Sequence, residues 1–476
     1  MCQRGWHHCG KFSQGRESDL VWRQEIDPLG KVVVPDWAYW GAQTQRALEN
    51  FPISGYKPHP ILIDALVLIK IAAAESNLEL AGLPPEKARP IIQAAQEILA
   101  GLWRDHFVVD AFQAGAGTSL HMNVNEVLAN RAGELAGESK GTYHQIHPND
   151  HVNLGQSTND VFPTAMRLAI LMELRTLYPE GEALVQALRD KAGEFKEIYK
   201  AGRTHLNDAL PVTLGNEFKA YGEAVATDLT RVQQGAAELV LLGIGGTAVG
   251  SGTNALPGYR ELVIEKLGRL TGLDLKPRPD LFEAMQNLNP FGLMAVHLKL
   301  LALTLTRIAN DFRLLASGPK AGLGELVLPA VQPGSSIMSG KINPSICEAL
   351  NMICYHVIGL ETAVALGVQA GQLELNVMMP LVIYEILTMI DLLRQGLIMF
   401  TRRTVRGLKA DRDRCLKNLK QSHGLAALLN PYLGHHQAAK LAQESLERGM
   451  SLAELVKEKK LLTEEQIEAI FSLPHK

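Results

Sequence analysis

The feature that most constrains the fold is a series of apolar residues with heptad spacing near the middle of the chain. The positions step by 4, 3, 4, 3, 4 and 3 along the series Met294, Leu298, Leu301, Leu305, Ile308, Phe312 and Leu315. A sustained repeat of this kind predicts a long helix whose apolar side packs against other helices. A second series with helical spacing precedes it: Phe218, Tyr221, Val225, Val232, Ala236 and Leu239. The sequence therefore predicts a bundle of long helices, with no repeated strand pattern between them.

The two ends of the chain have shorter patterns. Helical spacing predicts helices over residues 61–80 and 84–99, whereas residues 33–51 are interpreted as irregular. Two capping boxes, at residues 451–454 and 463–466, predict short helices near the C-terminus. Residues 1–18 lack the apolar core of a secretory signal, and we expect them to be disordered.

Composition excludes several classes of function. The net charge is −3 and no basic run is visible, which argues against nucleic-acid and membrane-surface binding. The five cysteines fit no zinc pattern, no metal-ligand cluster is visible, and no cofactor is indicated. A reducing, cytoplasmic setting is the simplest interpretation. Apolar stretches such as residues 349–360 are interrupted by charges or proline before about 18 residues, so we expect buried helices rather than membrane spans.

Polar, glycine-containing segments interrupt the helical patterns at four places, residues 115–126, 147–160, 202–211 and 334–344. The last segment reads GSSIMSGKINP, and it combines Ser335, Ser336, Lys341 and Asn343 with Glu348 shortly after it. Backbone donors, an ammonium and an amide together suit an anionic substrate. The alternative is a surface turn whose serines only cap the following helix.

Two other polar segments have similar alternatives. Ser157, Thr158 and Asn159 stand where a helix begins, so they predict either an anion site at its N-terminus or a simple cap. His205 lies among polar residues, and a lone histidine of this kind is more often a satisfied interior group. Residues 243–248 fit a dinucleotide fingerprint, but no strand pattern precedes them, and we interpret them as a tight turn between two long helices.

Taken together, the four polar segments resemble those of the aspartase/fumarase superfamily, and similarity extends from residue 33 to residue 463. The resemblance implies a mostly α fold, with a three-domain subunit and a long central five-helix bundle. The boundaries expected are an N-terminal domain at residues 19–156, the central domain at 157–412 and a small helical domain at 413–476. Four subunits are expected to form a homotetramer with a twenty-helix core, in which three chains contribute to each active site.

The resemblance also implies the chemistry. Members of the superfamily remove a proton beside a carboxylate and expel a group from the next carbon, through an aci-carboxylate carbanion. By similarity Ser335 is the base, and Lys341 and Asn343 hold a substrate carboxylate. His205, paired with Glu348, is expected to serve the second carboxylate or the leaving group. The other substrate-binding residues expected are Thr118, Ser119, Ser157, Thr158, Asn159 and Thr204.

A second, peripheral anion site is expected at His147, Asn149 and Asp150, although this segment could instead only pack against a neighbour. Two positions depart from the superfamily pattern. Ser339 stands where proline is usual, so we expect a more flexible loop, and His121 stands where asparagine is usual. If the His121 side chain reaches the substrate, it could alter affinity or specificity.

The small dicarboxylate substrate is expected to be L-aspartate, which would lose ammonia to give fumarate. The segments GAGTS at residue 115, QSTND at residue 156, AGQLELNVM at residue 370 and the pair His435 and His436 favour aspartate. The segment WGAQTQ at residue 40 instead favours L-malate, which would lose water. A remote alternative is a structural protein that keeps this scaffold without activity.

Overall fold

The structure is a computed structural model, and it describes residues 21–113 and 115–471. The expected disorder of residues 1–18 lies outside the described residues. Within those residues the chain is mostly helical, as predicted. The helices are α1 (Ala42–Asn50), α2 (Pro60–Glu79), α3 (Pro85–Leu99), α4 (Thr118–Leu135), α5 (Thr158–Glu194), α6 (Leu214–Ala236), α7 (Tyr259–Thr271), α8 (Leu281–Gln286), α9 (Asn289–Leu315), α10 (Ser345–Gln369), α11 (Met379–Phe400), α12 (Arg412–Lys420), α13 (Asn430–Leu433), α14 (His435–Arg448), α15 (Leu452–Glu458) and α16 (Glu464–Phe471).

Short strands lie between the helices, and the strands pair with one another in twos. The strands are β1 (Trp22–Asp27), β2 (Gly30–Pro35), β3 (Tyr199–Thr204), β4 (Asn207–Thr213), β5 (Leu241–Leu242), β6 (Lys276–Pro277), β7 (Leu326–Val327) and β8 (Lys409–Ala410). Three pairs, β1–β2, β3–β4 and β7–β8, are antiparallel, and β5–β6 is parallel. Residues 33–51 are therefore not irregular: they contain the end of β2 and all of α1.

The chain forms two compact units. The first contains the described part of Met1–Met172 together with Glu238–Phe291 and Ala363–Leu387. The second contains Glu173–Ala237, Gly292–Thr362 and Thr388–Lys476, as far as residue 471 is described. The three-domain division expected from the sequence stays a prediction.

The first unit is built around α2, which contacts α3, α4 and α7. This helix is apolar on nearly all sides, as expected for a helix that is buried in the middle of a unit. Its buried residues include one lysine, Lys70, which is fully inaccessible to solvent. The short helix α1 packs on α4, and the buried carboxylate of Glu126 accepts hydrogen bonds from the Gly41, Gln43 and Thr44 backbone N–H groups. Glu126 thereby satisfies donors at the start of α1 that have no partner within the helix.

The second unit contains the heptad series, and all seven of its residues are buried, as the spacing predicts. A row of aromatic rings crosses this core. The Phe218 ring lies 5.1 Å from that of Phe195 and 5.2 Å from that of Phe312, which lies 5.4 Å from Phe400. Rings at these separations pack favourably, and here they join α6, α9 and α11.

The C-terminal helices of the second unit have a small apolar core of their own. It includes Leu419, Leu441 and Leu455, and Ala201 of β3 packs into it. The predicted capping boxes are confirmed: Ser451 pairs with Glu454, and Thr463 pairs with Gln466, each through reciprocal side-chain hydrogen bonds. These helices hold the β3–β4 hairpin, whose turn carries His205.

Two helices, α9 and α10, are long and apolar enough to cross a membrane by length and composition alone. The prediction that polar residues interrupt every such stretch was therefore too strict. Polar pairs nevertheless join these helices: Lys299 Nζ lies 2.6 Å from Glu361 Oε2, and Asn351 Nδ2 donates to Asn310 Oδ1 at 2.7 Å. Such pairs are as expected between helices of a bundle, where a buried polar group needs a partner.

Candidate active site

Residues 334–344 form an irregular loop of the second unit that is closed at its base. The Gly334 N–H donates to the Lys341 carbonyl at 3.0 Å, and Asn343 Nδ2 donates to the Gly334 carbonyl at 2.5 Å. Only glycine fits at position 334, because a Cβ atom there would lie 2.3 Å from the Lys341 carbonyl oxygen. The loop leads directly into α10, which begins at Ser345.

Ser335 is the only predicted site residue of this loop whose side chain is held by two backbone donors. Its Oγ accepts hydrogen bonds from the N–H groups of Ile337, at 3.2 Å, and Met338, at 2.9 Å. The remainder of the loop tip is exposed, and Ile337 is 89% exposed. Donors aimed at a hydroxyl oxygen stabilise negative charge on it, so this arrangement favours ionisation of Ser335.

Lys341 and Asn343 line a cavity of about 680 Å³ in the second unit. Arg313, at the end of α9, lines the same cavity, as does Ser339, the position that departs from the superfamily pattern. Two cationic side chains and an amide thus face one space. This combination suits a carboxylate or another small anion.

Thr204 and His205 lie at the turn of the β3–β4 hairpin, and both are exposed. Within this chain His205 is therefore not an interior group. His205 and Leu206 form the two-residue turn, with φ of 55° and 62°. Leucine in particular does not favour this left-handed conformation, which costs on the order of 1–2 kcal/mol per residue. Such local strain is characteristic of functional positions.

An ion-pair network at the base of the hairpin holds this turn in place. The guanidinium of Arg203 donates to both Glu325 oxygens, at 2.8 and 3.0 Å, and Lys200 Nζ lies 3.4 Å from the same carboxylate. Lys200 and Glu325 are both buried. Burial opposes ionisation of Glu325, but the hydrogen bonds of Arg203 and Asn418 outweigh it and hold the pKa of Glu325 below its usual value.

Glu348 is half-buried in the first turn of α10. Among the described residues no hydrogen bond or ion pair joins it to His205 within the chain. The expected pairing of these two residues stays a prediction.

The first unit contains a separate cavity of about 710 Å³ at the start of α4 and α5. Four hydroxyl or amide side chains predicted to bind anions line it: Thr118, Asn149, Ser157 and Thr158. Asp150 lines it as well, so residues assigned to a peripheral site share this cavity with residues assigned to the main one. Gly117 allows α4 to begin here, because it has φ of 91° and a Cβ atom would lie 2.4 Å from the Phe162 ring.

Ser157 is the N-cap of α5. Its Oγ accepts from the Asn159 N–H at 3.2 Å, while its own N–H donates to Asp160 Oδ1 at 2.9 Å. The Asn159 amide nitrogen donates to the Ala248 carbonyl at 2.7 Å and is not among the groups that line the cavity. Ser119 is half-buried in the first turn of α4 and is likewise not part of the lining.

Asp160 explains the glycine-rich segment at residues 243–248. The buried carboxylate of Asp160 accepts hydrogen bonds from the N–H groups of Gly245, at 2.9 Å, and Thr247, at 3.1 Å. Burial raises the pKa of Asp160 to about 6, and these donors oppose the rise. Because a protein carboxylate occupies the backbone donors that a phosphate would need, this turn does not form a dinucleotide site.

His147 acts as a cap in the first unit. Its Nδ1 accepts from the N–H groups of Asn149 and Asp150, both at 3.2 Å, at the start of the π-helical turn Pro148–Val152. This geometry accounts for His147 structurally, and only its Nε2 remains for a ligand. The second anion site stays a prediction.

Sequence reasoning missed Lys70, which lies behind the cavity of the first unit. Lys70 Nζ contacts His121 Nε2 at 2.7 Å, Gln156 Oε1 at 2.8 Å and Asn153 Oδ1 at 3.0 Å. His121 Nδ1 in turn contacts Thr158 Oγ1 at 2.7 Å. The available signal was a single lysine within an otherwise apolar helix, since a buried charge requires partners.

Comparisons with known proteins identify the family. A family model described as "Lyase" matches residues 30–359, and one described as "Fumarase C C-terminus" matches residues 425–474. An aspartate ammonia-lyase of Bacillus sp is 44% identical over 94% of this chain and 96% of its own. A class II fumarate hydratase of Thermosynechococcus vestitus is 45% identical, again over 94% and 96% of the two chains.

Solved structures of related lyases are also similar to this chain. A crystal structure described as fumarate lyase:delta crystallin, from Brucella melitensis, superposes with a TM-score of 0.92 and 42% identity over 95% of this chain and 98% of its own. The chain belongs to the aspartase/fumarase superfamily of lyases.

Within the described residues no group of three or more His, Cys, Asp or Glu side chains is arranged to hold a metal ion.

Proposed function

We propose that the chain catalyses the reversible elimination of ammonia from L-aspartate to give fumarate. The observation that carries the proposal is the environment of Ser335, whose Oγ accepts two backbone hydrogen bonds in a loop that also holds Lys341 and Asn343. The aspartate ammonia-lyase relative, at 44% identity over most of both chains, supports this reaction.

Ser335 is proposed as the base that removes the proton beside the carboxylate. A serine hydroxyl is a weak base at neutral pH, so its alkoxide must be stabilised within the site. The N–H groups of Ile337 and Met338 supply part of that stabilisation, and the nearby ammonium of Lys341 supplies a positive charge.

The carbanion spreads its charge into the adjacent carboxylate, so that group needs fixed donors in the transition state. Loss of one such donor typically costs about 10²–10³ in rate. We propose Lys341 and Asn343 for one carboxylate, with hydroxyls of Thr118, Ser157 and Thr158 for the other substrate groups. Ser119, Asn159 and Thr204 are proposed in supporting roles, because they lie outside the two cavity linings.

His205 and Glu348 are proposed to serve the second carboxylate or the leaving group. The strained turn places the His205 imidazole on the surface of the second unit, where another subunit could meet it. His147, Asn149 and Asp150 are proposed to form a secondary anion site at the edge of the cavity in the first unit.

We propose a homotetramer in which three chains complete each active site. Large apolar side chains are exposed along the two long helices of the second unit, including Leu303 of α9 and Met352 and Tyr355 of α10. Several large apolar side chains left exposed on long helices support an interface there. A cytoplasmic location is also proposed, because the described cysteines Cys347, Cys354 and Cys415 are all free and buried.

Mixing two inactive variants tests the shared site. Ser335→Ala and Thr158→Ala homotetramers should each lack activity, whereas tetramers reassembled from an equal mixture should recover about a quarter of the wild-type rate, since each intact site needs two independent intact chains. No recovery from fully mixed tetramers would contradict a site that takes these two residues from different chains.

Elimination of water from L-malate is the second candidate. It is supported by the class II fumarate hydratase relative, which is as similar to this chain as the aspartate ammonia-lyase. An inactive structural protein is the remote third candidate.

Fumarate absorbance in the ultraviolet separates the candidates. Purified protein should produce fumarate from L-aspartate, with one ammonia released for each fumarate, and should not produce it from L-malate. A rise with L-malate alone would replace the first candidate by the second. The absence of a rise with either substrate would refute both, and would favour either a different amino or succinyl substrate or the structural protein.

A further inference from the structure

Three buried or half-buried side chains form a hydrogen-bonded row that ends at the cavity of the first unit. Lys70 and His121 are at most 1% exposed, and the row runs from Lys70 Nζ through the His121 ring to Thr158 Oγ1, with both contacts at 2.7 Å. Thr158 lines the cavity, and His121 also contributes to the lining. The direction in which the hydrogens point along this row decides what Thr158 can offer to a ligand.

The side-chain amide oxygens of Asn153 and Gln156 determine where two of the Lys70 hydrogens point. The side-chain nitrogen of Asn153, Nδ2, donates to the backbone carbonyl of Gln156 at 3.2 Å. The side-chain nitrogen of Gln156, Nε2, donates to the backbone carbonyls of Val152 and Leu154 at 3.2 and 3.3 Å. Because the amide nitrogens face backbone carbonyls, both amide oxygens face Lys70 and can only accept. Lys70 therefore donates one N–H group to each of them.

The third position on Lys70 Nζ faces His121 Nε2. If Lys70 is an ammonium, its third N–H donates to Nε2, so a neutral His121 carries its hydrogen on Nδ1 and donates to Thr158 Oγ1. If Lys70 is a neutral amine, its lone pair faces Nε2, the ring must carry its hydrogen there, and Thr158 must donate to Nδ1. The proton on Lys70 thus sets the direction of the whole row.

We propose that Lys70 and His121 are positioning residues that fix the Thr158 hydroxyl as a hydrogen-bond donor toward the cavity. In this state Thr158 Oγ1 accepts from His121, so its own hydrogen is free to point at a ligand oxygen. A carboxylate can only accept, and a hydroxyl that is held as a donor therefore selects it over a group that must donate. The proposal rests on the proposed function only in taking a dicarboxylate as the ligand.

The surrounding charges are compatible with this state. Burial lowers the pKa of His121 well below its ordinary value, and the charge of Lys70 lowers it further, so the ring is neutral near pH 7. Burial lowers the pKa of Lys70 well below its ordinary value, and the charge of Asp160 offsets only part of this change. The two amide oxygens within 3.0 Å of Nζ, which can only accept, instead favour the ammonium.

The tautomer of His121 gives a test that does not depend on turnover. The protein is labelled with ¹⁵N-histidine and measured by magic-angle-spinning NMR, and the spectrum of His121→Gln is subtracted to isolate the His121 signals. These signals should show a ring that is protonated on Nδ1 and unprotonated on Nε2. A ring protonated on Nε2, or on both nitrogens, would overturn the proposal. Because no substrate is present, this result is independent of whether the protein acts on L-aspartate or L-malate.

Binding of succinate, a dicarboxylate that cannot undergo the elimination, tests the consequence by calorimetry. A glutamine at position 121 can accept from Lys70 with its oxygen and donate to Thr158 with its nitrogen, so His121→Gln should keep affinity within about threefold. His121→Leu offers neither group and should weaken binding by about tenfold or more.

The control is His144→Gln, an identical substitution at an exposed histidine of the same unit, which should leave binding unchanged. Wild-type affinity in a folded His121→Leu variant would overturn the proposal, as would equal losses in the leucine and glutamine variants.

Discussion

Replacement of Gly334 by alanine tests whether the closed form of the 334–344 loop is the active one. An added Cβ atom would lie 2.3 Å from the Lys341 carbonyl oxygen and 2.7 Å from the Asn343 nitrogen. Both neighbours are backbone atoms, so the clash cannot be relieved by moving a side chain. The two backbone segments at the base of the loop must move apart. The closing hydrogen bonds, Gly334 N–H to Lys341 and Asn343 Nδ2 to Gly334, are the ones at risk.

The expected cost follows from those two bonds. At about 1 kcal/mol each, their loss disfavours the closed loop by about 2 kcal/mol. This corresponds to roughly a thirtyfold lower population of the closed form, and kcat/KM for fumarate formation should fall by a similar factor. Because the loop is exposed and irregular, the midpoint of thermal unfolding should change little.

The matched control is Gly340→Asn in the same loop. Gly340 has φ of 79°, a Cβ atom there would meet nothing within 4 Å, and asparagine tolerates this conformation. Its kcat/KM should stay within about threefold of wild type. Wild-type kcat/KM in Gly334→Ala, measured by fumarate absorbance, would refute the assignment of the closed loop as the active form.

Two further predictions concern stability. Glu325→Gln leaves Arg203 and Lys200 without their shared buried carboxylate, and the free energy of unfolding in urea should fall by about 3 kcal/mol. The control is Glu223→Gln, in an exposed pair with Arg189, which should lower the free energy of unfolding by under about 0.5 kcal/mol. Equal effects of the two substitutions would contradict the argument. Burial, with the charge of Lys140, lowers the pKa of His106 to about 4, and its Nδ1 accepts from the Tyr39 N–H. Because this folded-state pKa lies below the unfolded value of about 6.5, stability present above pH 6.5 should be lost as the pH falls toward 4; His106→Gln should flatten that dependence, and an unchanged slope would exclude His106 as its source.

The helices could be predicted from the sequence because their spacing carries the geometry. The residues from Met294 to Leu315 repeat with the period of a packed helix, and all seven are buried as that period requires. The capping boxes at Ser451 and Thr463 are equally local, since both partners lie within one turn.

The hairpin that carries His205 could not be predicted in this way. Its turn residues, His205 and Leu206, are not the Asn and Gly residues that identify a two-residue turn, and Pro211 lies within the second strand. The hairpin is instead held by distant residues, Glu325 and the C-terminal helices, which no local pattern reveals.

The superfamily motifs predict Thr118, Thr158 and Ser335 as site residues, and these roles stay predictions. The motifs do not reveal what holds these side chains. The donors to Ser335 are backbone groups, which any sequence possesses, and Lys70 depends on residues 51 to 86 positions away. Such partners become visible only when the chain is folded.

The base assignment is the central claim, and the turnover of Ser335→Ala tests it most directly. With L-aspartate, or with L-malate if that proves to be the substrate, loss of the base should lower kcat by about a thousandfold. The oligomer mass and thermal unfolding should stay as in wild type, and Ser336→Ala, at the exposed neighbouring serine, should retain activity. A Ser335→Ala enzyme that still forms fumarate at a rate near wild type would remove Ser335 from the role of base.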